Sequence, residues 1–236
     1  MSYEMDRVQH IGGTPSASWG AMSAQTFTGK VMPAFGASLA VAAGGVFAGM
    51  MALQALGPTL GFGLLIAALV AELGLIFTAG RWQHNEALNK PLFFLYALLS
   101  GVTLVPLLTW AGARGGVPLI GQALAVTAVT FGALSVYGAT TKRDFANLGG
   151  FLFVACIGLL AAGLLNIFFQ SSMLSLVCSI LGVGVFSAFT VYEMNMIRRT
   201  YSDADWIAAA LGLFVAFIGL FQSILRLFGI AGSSDD

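Results

Sequence analysis

Charged residues make up only 8% of this chain, against roughly 25% in a soluble domain. So few charges cannot cover a water-facing surface. The formal net charge is zero, which argues against a nucleic-acid partner. Cysteine is nearly absent. Cys156 and Cys178 both sit in apolar runs, so a disulfide or a thiolate metal site is not expected. Histidine is limited to His10 and His84, and HExxH, GxSxG and a phosphate-cradling glycine loop are all missing. A rhomboid-like Ser/His pair would need a histidine inside a span, and His84 lies in a loop. The chain is therefore expected not to be an enzyme and to hold no cofactor or metal. Strand-like alternation is missing too, and an open sheet cannot span lipid.

What the sequence does have is apolar length. It is 58% hydrophobic with a mean hydropathy of +0.90. A spanning helix needs about 20 largely apolar residues. Seven runs meet that length: Val31–Gln54, Leu60–Gly80, Pro91–Ala111, Pro118–Ala139, Asn147–Phe169, Leu174–Met196 and Ile207–Gly229. The gaps between them are short. The fold class is an all-α membrane protein with seven transmembrane helices in one domain, residues 31–230. Residues 1–30 are polar and read as a mobile tail, and 231–236 as a short polar end. Because the first apolar run begins only near Val31, no cleavable secretory signal is expected.

Basic residues set the orientation. Arg7, Lys30, Arg81, Lys90, Lys142, Arg143, Arg198 and Arg199 fall on one side of such a bundle, and Arg114 and Arg226 on the other. Cytoplasmic loops carry the excess of Lys and Arg. The N-terminus is thus expected in the cytoplasm and the C-terminus outside, unless the last run is a re-entrant hairpin.

Several residues inside the runs carry structural expectations. Gly45 and Gly49 form a GxxxG in the first span, and Gly57 and Gly61 another at the first turn, a spacing that permits close helix approach. Pro106 is expected to kink the third span and free a carbonyl, for a gate or for packing. The last run has two stripes. Ala208, Gly212, Ala216, Gly219 and Ser223 are small, and Phe214, Phe217, Phe221, Leu225 and Phe228 are bulky. A helix with both is expected to be gripped by neighbours.

Only two acids fall within apolar runs, and intramembrane ionisable residues are functional candidates by default. Glu72 lies about 12 Å from the end of the second span at 1.5 Å per residue. Arg81 is half a turn out of phase with it, so Glu72 must find a partner on another helix, line a wet cavity or stay protonated. Glu193 lies near the end of the sixth span, where it could pair with Arg198 or Arg199. Each acid admits a bland reading, as a buried hydrogen bonder or a headgroup-level charge. Each also admits a role in an ion path or in pH sensing. Asn166, Gln170, Tyr192, Asn195 and Gln222 add polar groups at membrane depth.

Four stretches and the last helix carry a family resemblance. PLFFLYALLSGVTLVPLL (Pro91–Leu108), FGALSVYGATTKRDFANLGGFLF (Phe131–Phe153), LLNIFFQSSMLSL (Leu164–Leu176), FSAFTVYEMNMI (Phe186–Ile197) and the closing LFVAFIGLFQSILRLFG resemble the Bax inhibitor family, the transmembrane Bax-inhibitor-motif proteins. The TTKRD loop with its LGG, and the NIF…Q segment, are closest to the bacterial YccA-like branch. The resemblance implies a seven-helix bundle with the last helix central, in a bacterial-type inner membrane. It also implies a pH-sensitive leak for Ca2+ or another cation. In such leaks an acid of the sixth helix pairs with one of the seventh, and an Arg near the inner end of the second helps control closure. Those positions fall on Glu193, Ala216 and, loosely, Arg81, and Gly219 stands where Asn is usual. Glu72 matches an acid of the second helix in some members. Because Ala216 removes the second acid, the coupled titration of two carboxylates cannot occur. A second function is implied by the YccA-like branch, as a substrate and modulator of a membrane-anchored AAA protease. Such a protease would grip the polar segment Met1–Lys30.

Overall fold

The computed structural model describes residues 16–231. All long elements are helices. The first, Ser16–Phe77, has 62 residues and breaks at Gly57. Its two arms, α1 and α2, have the apolar spans Gly29–Gly57 and Thr59–Phe77. A one-turn helix follows, Ala79–Trp82. The next, Asn89–Thr140, has 52 residues and breaks at Gly116. At 1.5 Å per residue it would be about 78 Å long, more than twice a hydrocarbon core, so it is two crossings, α3 (89–115) and α4 (117–140). Then come α5 (Gly149–Phe169), α6 (Ser172–Arg199) and α7 (Trp206–Ala231). Six helices are long and apolar enough to span a membrane, and dividing the 52-residue one at Gly116 makes seven crossings.

Both breaks have one cause. Gly57 has φ 71° and Gly116 φ 66°, a region where a Cβ is costly and glycine is at home. The chain reverses there. A Cβ on Gly61 would stand 3.3 Å from the Leu53 side chain, and one on Gly112 would stand 4.0 Å from that of Ile120, across intervals of eight residues that a straight helix would hold far apart. Pro106, expected to kink the third span, does not interrupt it. Pro106 keeps helical dihedrals inside α3, because its fixed φ suits a helix, and Thr109 Oγ1 donates to the carbonyls of Val105 and Pro106.

The boundary at residue 30 is not a structural one either. Residues 1–15 of the tail, and 232–236 at the other end, lie outside the described residues. From Ser16 onward the chain is already helical and runs unbroken into α1.

The first GxxxG brings backbones together. A Cβ on Gly45 would stand 2.2 Å from the Leu98 carbonyl oxygen, and one on Gly101 would stand 2.0 Å from that of Ala42. Thus α1 and α3 run side by side in the same direction with only glycine between them. Phe35, Phe131 and Phe217 join α1, α4 and α7 through ring contacts of 5.3–5.9 Å.

The last helix is the most buried. Within the window scored for each span, 72% of α7 is buried, against 44% or less elsewhere. Ile207, Leu213, Phe214, Leu220 and Leu225 have no exposed surface. At 26 residues α7 is about 39 Å long and unbroken, a full crossing and not a hairpin. Its far end meets the α3–α4 turn. Arg114 donates to the Gly229 carbonyl at 3.1 Å and stacks on Trp110.

Candidate functional site

The basic end of the bundle is built by interlocking loops. α6 ends in Arg198 and Arg199, and neither reaches Glu193. Arg198 donates to the Ala139 carbonyl, and Arg199 to those of Thr141 and Lys142. The Ala139 carbonyl belongs to the last turn of α4 and the other two lie just past its C-terminus, where cations are favoured. Asn195, 1% exposed, donates to the Arg143 carbonyl at 3.1 Å and accepts from the Phe145 N–H. The TTKRD loop is therefore strapped to the end of α6. Its LGG has a packing reason too, since a Cβ on Gly149 would stand 2.7 Å from the Tyr192 hydroxyl.

The loop between α6 and α7 is held by its own cap. Ser202 and Asp205 form a capping box, with the Ser202 N–H and hydroxyl both donating to Asp205. His84, across the α2–α3 connection, is 3.6 Å from the other Asp205 oxygen, and Lys90 lies over the Trp206 ring. The Ser202 bonds hold the Asp205 carboxyl below its usual range. Its folded value is thus below the unfolded one, near ~3.9. Stability from this cap is full above that value and is lost as pH falls through the folded one. Asp205→Asn is expected to lower the thermal midpoint at neutral pH. The gap to wild type should close as the pH is taken below about 4, and a gap constant with pH would contradict the cap.

Within the bundle the two acids have different surroundings. Glu72, half-buried on α2, accepts from both hydroxyls of an i, i+3 pair on α3. Ser100 bonds one carboxyl oxygen, and Thr103 bonds the other at 2.7 Å. Of the three options open to it, the structure supplies a partner on another helix. Arg81 is exposed on the one-turn helix, and among the described residues its side chain forms no hydrogen bond or ion pair.

Glu193 is 5% exposed. Its carboxyl group rests on α7 at Gly212, where a Cβ would stand 2.4 Å from Cδ. Tyr201, in the α6–α7 loop, donates its hydroxyl to Oε2 at 3.2 Å. Burial first, and then the Glu193 carboxylate, push the Tyr201 phenol up, so it remains a donor. Among the described residues no cation pairs with Glu193 and nothing donates to Oε1.

The register of α6 on α7 follows from three close approaches. Glu193 meets Gly212, Phe186 meets Gly219, and Gly182 meets Ser223. Seven residues down one helix match seven up the other, so the helices are antiparallel and the small-residue stripe faces α6. Ala216, fully buried, lies on that stripe about one turn beyond Gly212.

Glu72, Glu193 and Arg81 are not one cluster. Tyr96, one turn from Ser100 on α3, packs edge-on to Phe214 with centroids 5.9 Å apart. Gly212 and Phe214 are two residues apart, hence on nearly opposite faces of α7. Tyr96, on the helix that bonds Glu72, and Glu193 thus meet nearly opposite faces of the last helix. The sequence reading missed Ser100, Thr103 and Tyr201. Signals for them existed only as an i, i+3 hydroxyl pair in an apolar run and a tyrosine before the SDAD cap.

Comparison with known proteins agrees with this architecture. The family described as inhibitor of apoptosis-promoting Bax1 matches residues 24–233. An uncharacterized protein of Helicobacter pylori strain J99 is 36% identical over 201 residues, 85% of each chain. One from Campylobacter jejuni is 40% identical over 199 residues, covering 82% of this chain and 83% of its own. A protein of Vaccinia virus named Golgi anti-apoptotic protein is 32% identical over 168 residues, 71% of this chain and 69% of its own. With seven apolar helices and a family match over nearly the whole of them, the chain belongs to the Bax inhibitor family of multi-pass membrane proteins.

Proposed function

We propose that this protein is a pH-sensitive leak for Ca2+ or another cation in a bacterial-type inner membrane, with Glu193 as the carboxylate at its gate. One observation carries the reading. A purely structural acid in lipid should have its oxygens satisfied, as Glu72 does through Ser100 and Thr103. Glu193 is more deeply buried yet holds one donor and no cation among the described residues. A carboxylate in that position offers a passing cation an oxygen ligand, the chemistry that Ca2+ prefers. Its charge is removed by a proton, which makes the flux pH-sensitive. Glu72, on α2, is the second polar group of the cytoplasmic half, and Arg81 marks that half's rim. The basic loops face the cytoplasm, which puts the Gly229 end of α7 outside. No covalent step is involved, so the protein is not an enzyme.

The test is flux into vesicles loaded with a calcium dye. Wild-type flux is expected to change between about pH 5 and 8. Glu193→Gln is expected to abolish that pH response, and Glu72→Gln to change it less. Absence of wild-type flux at every pH would remove the leak, and unchanged flux in the double variant would remove the site.

A second reading rests on Ala216. It is fully buried on the stripe facing α6, where the family resemblance implies an acid. A bundle without the paired acids suits a non-transporting modulator of a membrane-anchored AAA protease. Deleting Met1–Lys30, the segment such a protease would grip, tests it. Loss of protease binding on that removal would favour this reading, and unchanged binding would count against it.

A further inference from the structure

Among the described residues, Tyr201 alone hydrogen-bonds Glu193 from outside its own helix and the helix behind it. The loop carrying it is short, running from Thr200 to Asp205 between α6 and α7. Its conformation is fixed at the far end by the Ser202–Asp205 box. Asp205 also faces His84 at 3.6 Å, and Lys90 lies 5.6 Å from the Trp206 ring centre. The α2–α3 connection thus holds this loop down onto the bundle. The tyrosine ring packs against the core, half-buried, and its hydroxyl meets the carboxylate.

We infer that Tyr201 is a positioning residue for the Glu193 carboxylate: its phenol holds Oε2 on the side facing the basic end, leaves Oε1 without a donor among the described residues, and must withdraw before a cation can be held by both oxygens. The inference rests on the leak reading and names its regulation. Two approaches to the carboxylate are seen among the described residues, from Gly212 and from Tyr201. Gly212 closes the side toward α7, since there is no room even for a methyl group. Tyr192, the preceding residue on α6, is turned toward Gly149 and stacks on Phe189. The Tyr201 hydroxyl is the remaining polar contact, and it belongs to a loop, the element best able to move. A phenol donor seated on Oε2 takes one of its lone pairs and the space beside it, so a cation bridging both carboxylate oxygens from that side must displace it. The two-part tether explains how a loop contact can be held without an ion pair at the acid. Withdrawal would require the 200–205 loop to lift from His84 and Lys90.

The experiment reads Glu193 by two routes in reconstituted vesicles. One is Ca2+ flux. The other is modification of Glu193 by a hydrophobic carbodiimide, quantified by mass spectrometry, with Glu72 as internal reference. Tyr201→Phe removes one oxygen and keeps the ring. It is expected to raise both flux and Glu193 modification about tenfold, the factor set by losing a hydrogen bond to a charged acceptor. Glu72 modification should stay at the wild-type level. Asp205→Asn, which loosens the loop without touching Glu193, is expected to raise both by about twofold. Should Tyr201→Phe not fold, the Asp205→Asn arm decides alone. Unchanged Glu193 modification overturns the inference. An equal rise at Glu72 overturns it as well, since that is general loosening. A rise at Glu193 with no flux in any protein, wild type included, leaves the positioning role standing and removes the leak.

Discussion

Gly101→Ala is expected to destabilise the protein by about 3 kcal/mol, the upper end for forcing a methyl group into a packed interior. The size of the effect comes from what stands in the way. The new Cβ would be 2.0 Å from the Ala42 carbonyl oxygen, 2.9 Å from its carbon and 3.0 Å from the Gly45 Cα. All three are backbone atoms of α1, so no side chain can rotate aside. The whole of α1 would have to move, and it is held again four residues on. There Gly49 faces Val102 and Val105. In lipid such an interface rests on close packing, because apolar side chains gain nothing by leaving the hydrocarbon. Measured by thermal denaturation in detergent with size-exclusion detection, the midpoint is expected to fall by about 10 °C. Gly44→Ala is the control, one residue from Gly45 on the same helix with nothing within 4 Å of its Cβ. Equal midpoints for the two variants would show that the approach of α1 to α3 is not as close as described. No single second substitution is expected to rescue Gly101→Ala.

This interface also shows what a sequence can disclose in lipid. The apolar runs marked the crossings to within a few residues, since length and hydropathy are imposed by the bilayer. Gly45 and Gly49 were legible as a contact because their spacing puts both on one face. Gly57 and Gly61 have the same spacing and do something else: Gly57 turns the chain. Nothing in the motif distinguishes them. Pro106 was expected to kink its helix, yet proline's fixed φ is helical, and the helical dihedrals are interrupted ten residues later at a glycine of positive φ. Glu72 and Glu193 stood out as the only acids in the runs. Their partners did not. Hydroxyls in these helices mostly bond their own preceding turn, as Thr127 does to Ala123, Ser179 to Ser175, Thr190 to Phe186 and Ser223 to Gly219. Ser100 and Thr103 have the same composition and position pattern, and only the placement of α2 against α3 turns them toward Glu72. Tyr201 was hidden for a related reason, being the residue just before a cap in a loop whose fold is local but whose direction is not.

The second large effect is a coupling. Gly212→Ala puts a methyl group 2.4 Å from the Glu193 Cδ and 2.6 Å from both carboxyl oxygens. Unlike the backbone that faces Gly101, this obstruction is the end of a side chain, and it can leave. To leave, the carboxylate must give up Tyr201 and find room elsewhere in a bundle where Thr190, Asn195 and Ala216 are fully or almost fully buried. The single variant is therefore expected to cost about 2 kcal/mol. Glu193→Ala alone is also expected to destabilise, by the space it leaves beneath Tyr201. Combined, the two should not add. The alanine methyl at 212 then fills space the carboxyl has vacated, and the double variant is expected to recover about 2 kcal/mol relative to the sum of the singles. Gly219→Ala serves as the comparison, because its Cβ meets the Phe186 ring and not the acid. Glu193→Ala should not rescue it. Strict additivity at 212, or equal rescue at 219, would place the carboxylate away from α7. That outcome would also remove the reason for assigning it a gate, since the last helix would no longer form one wall of the site.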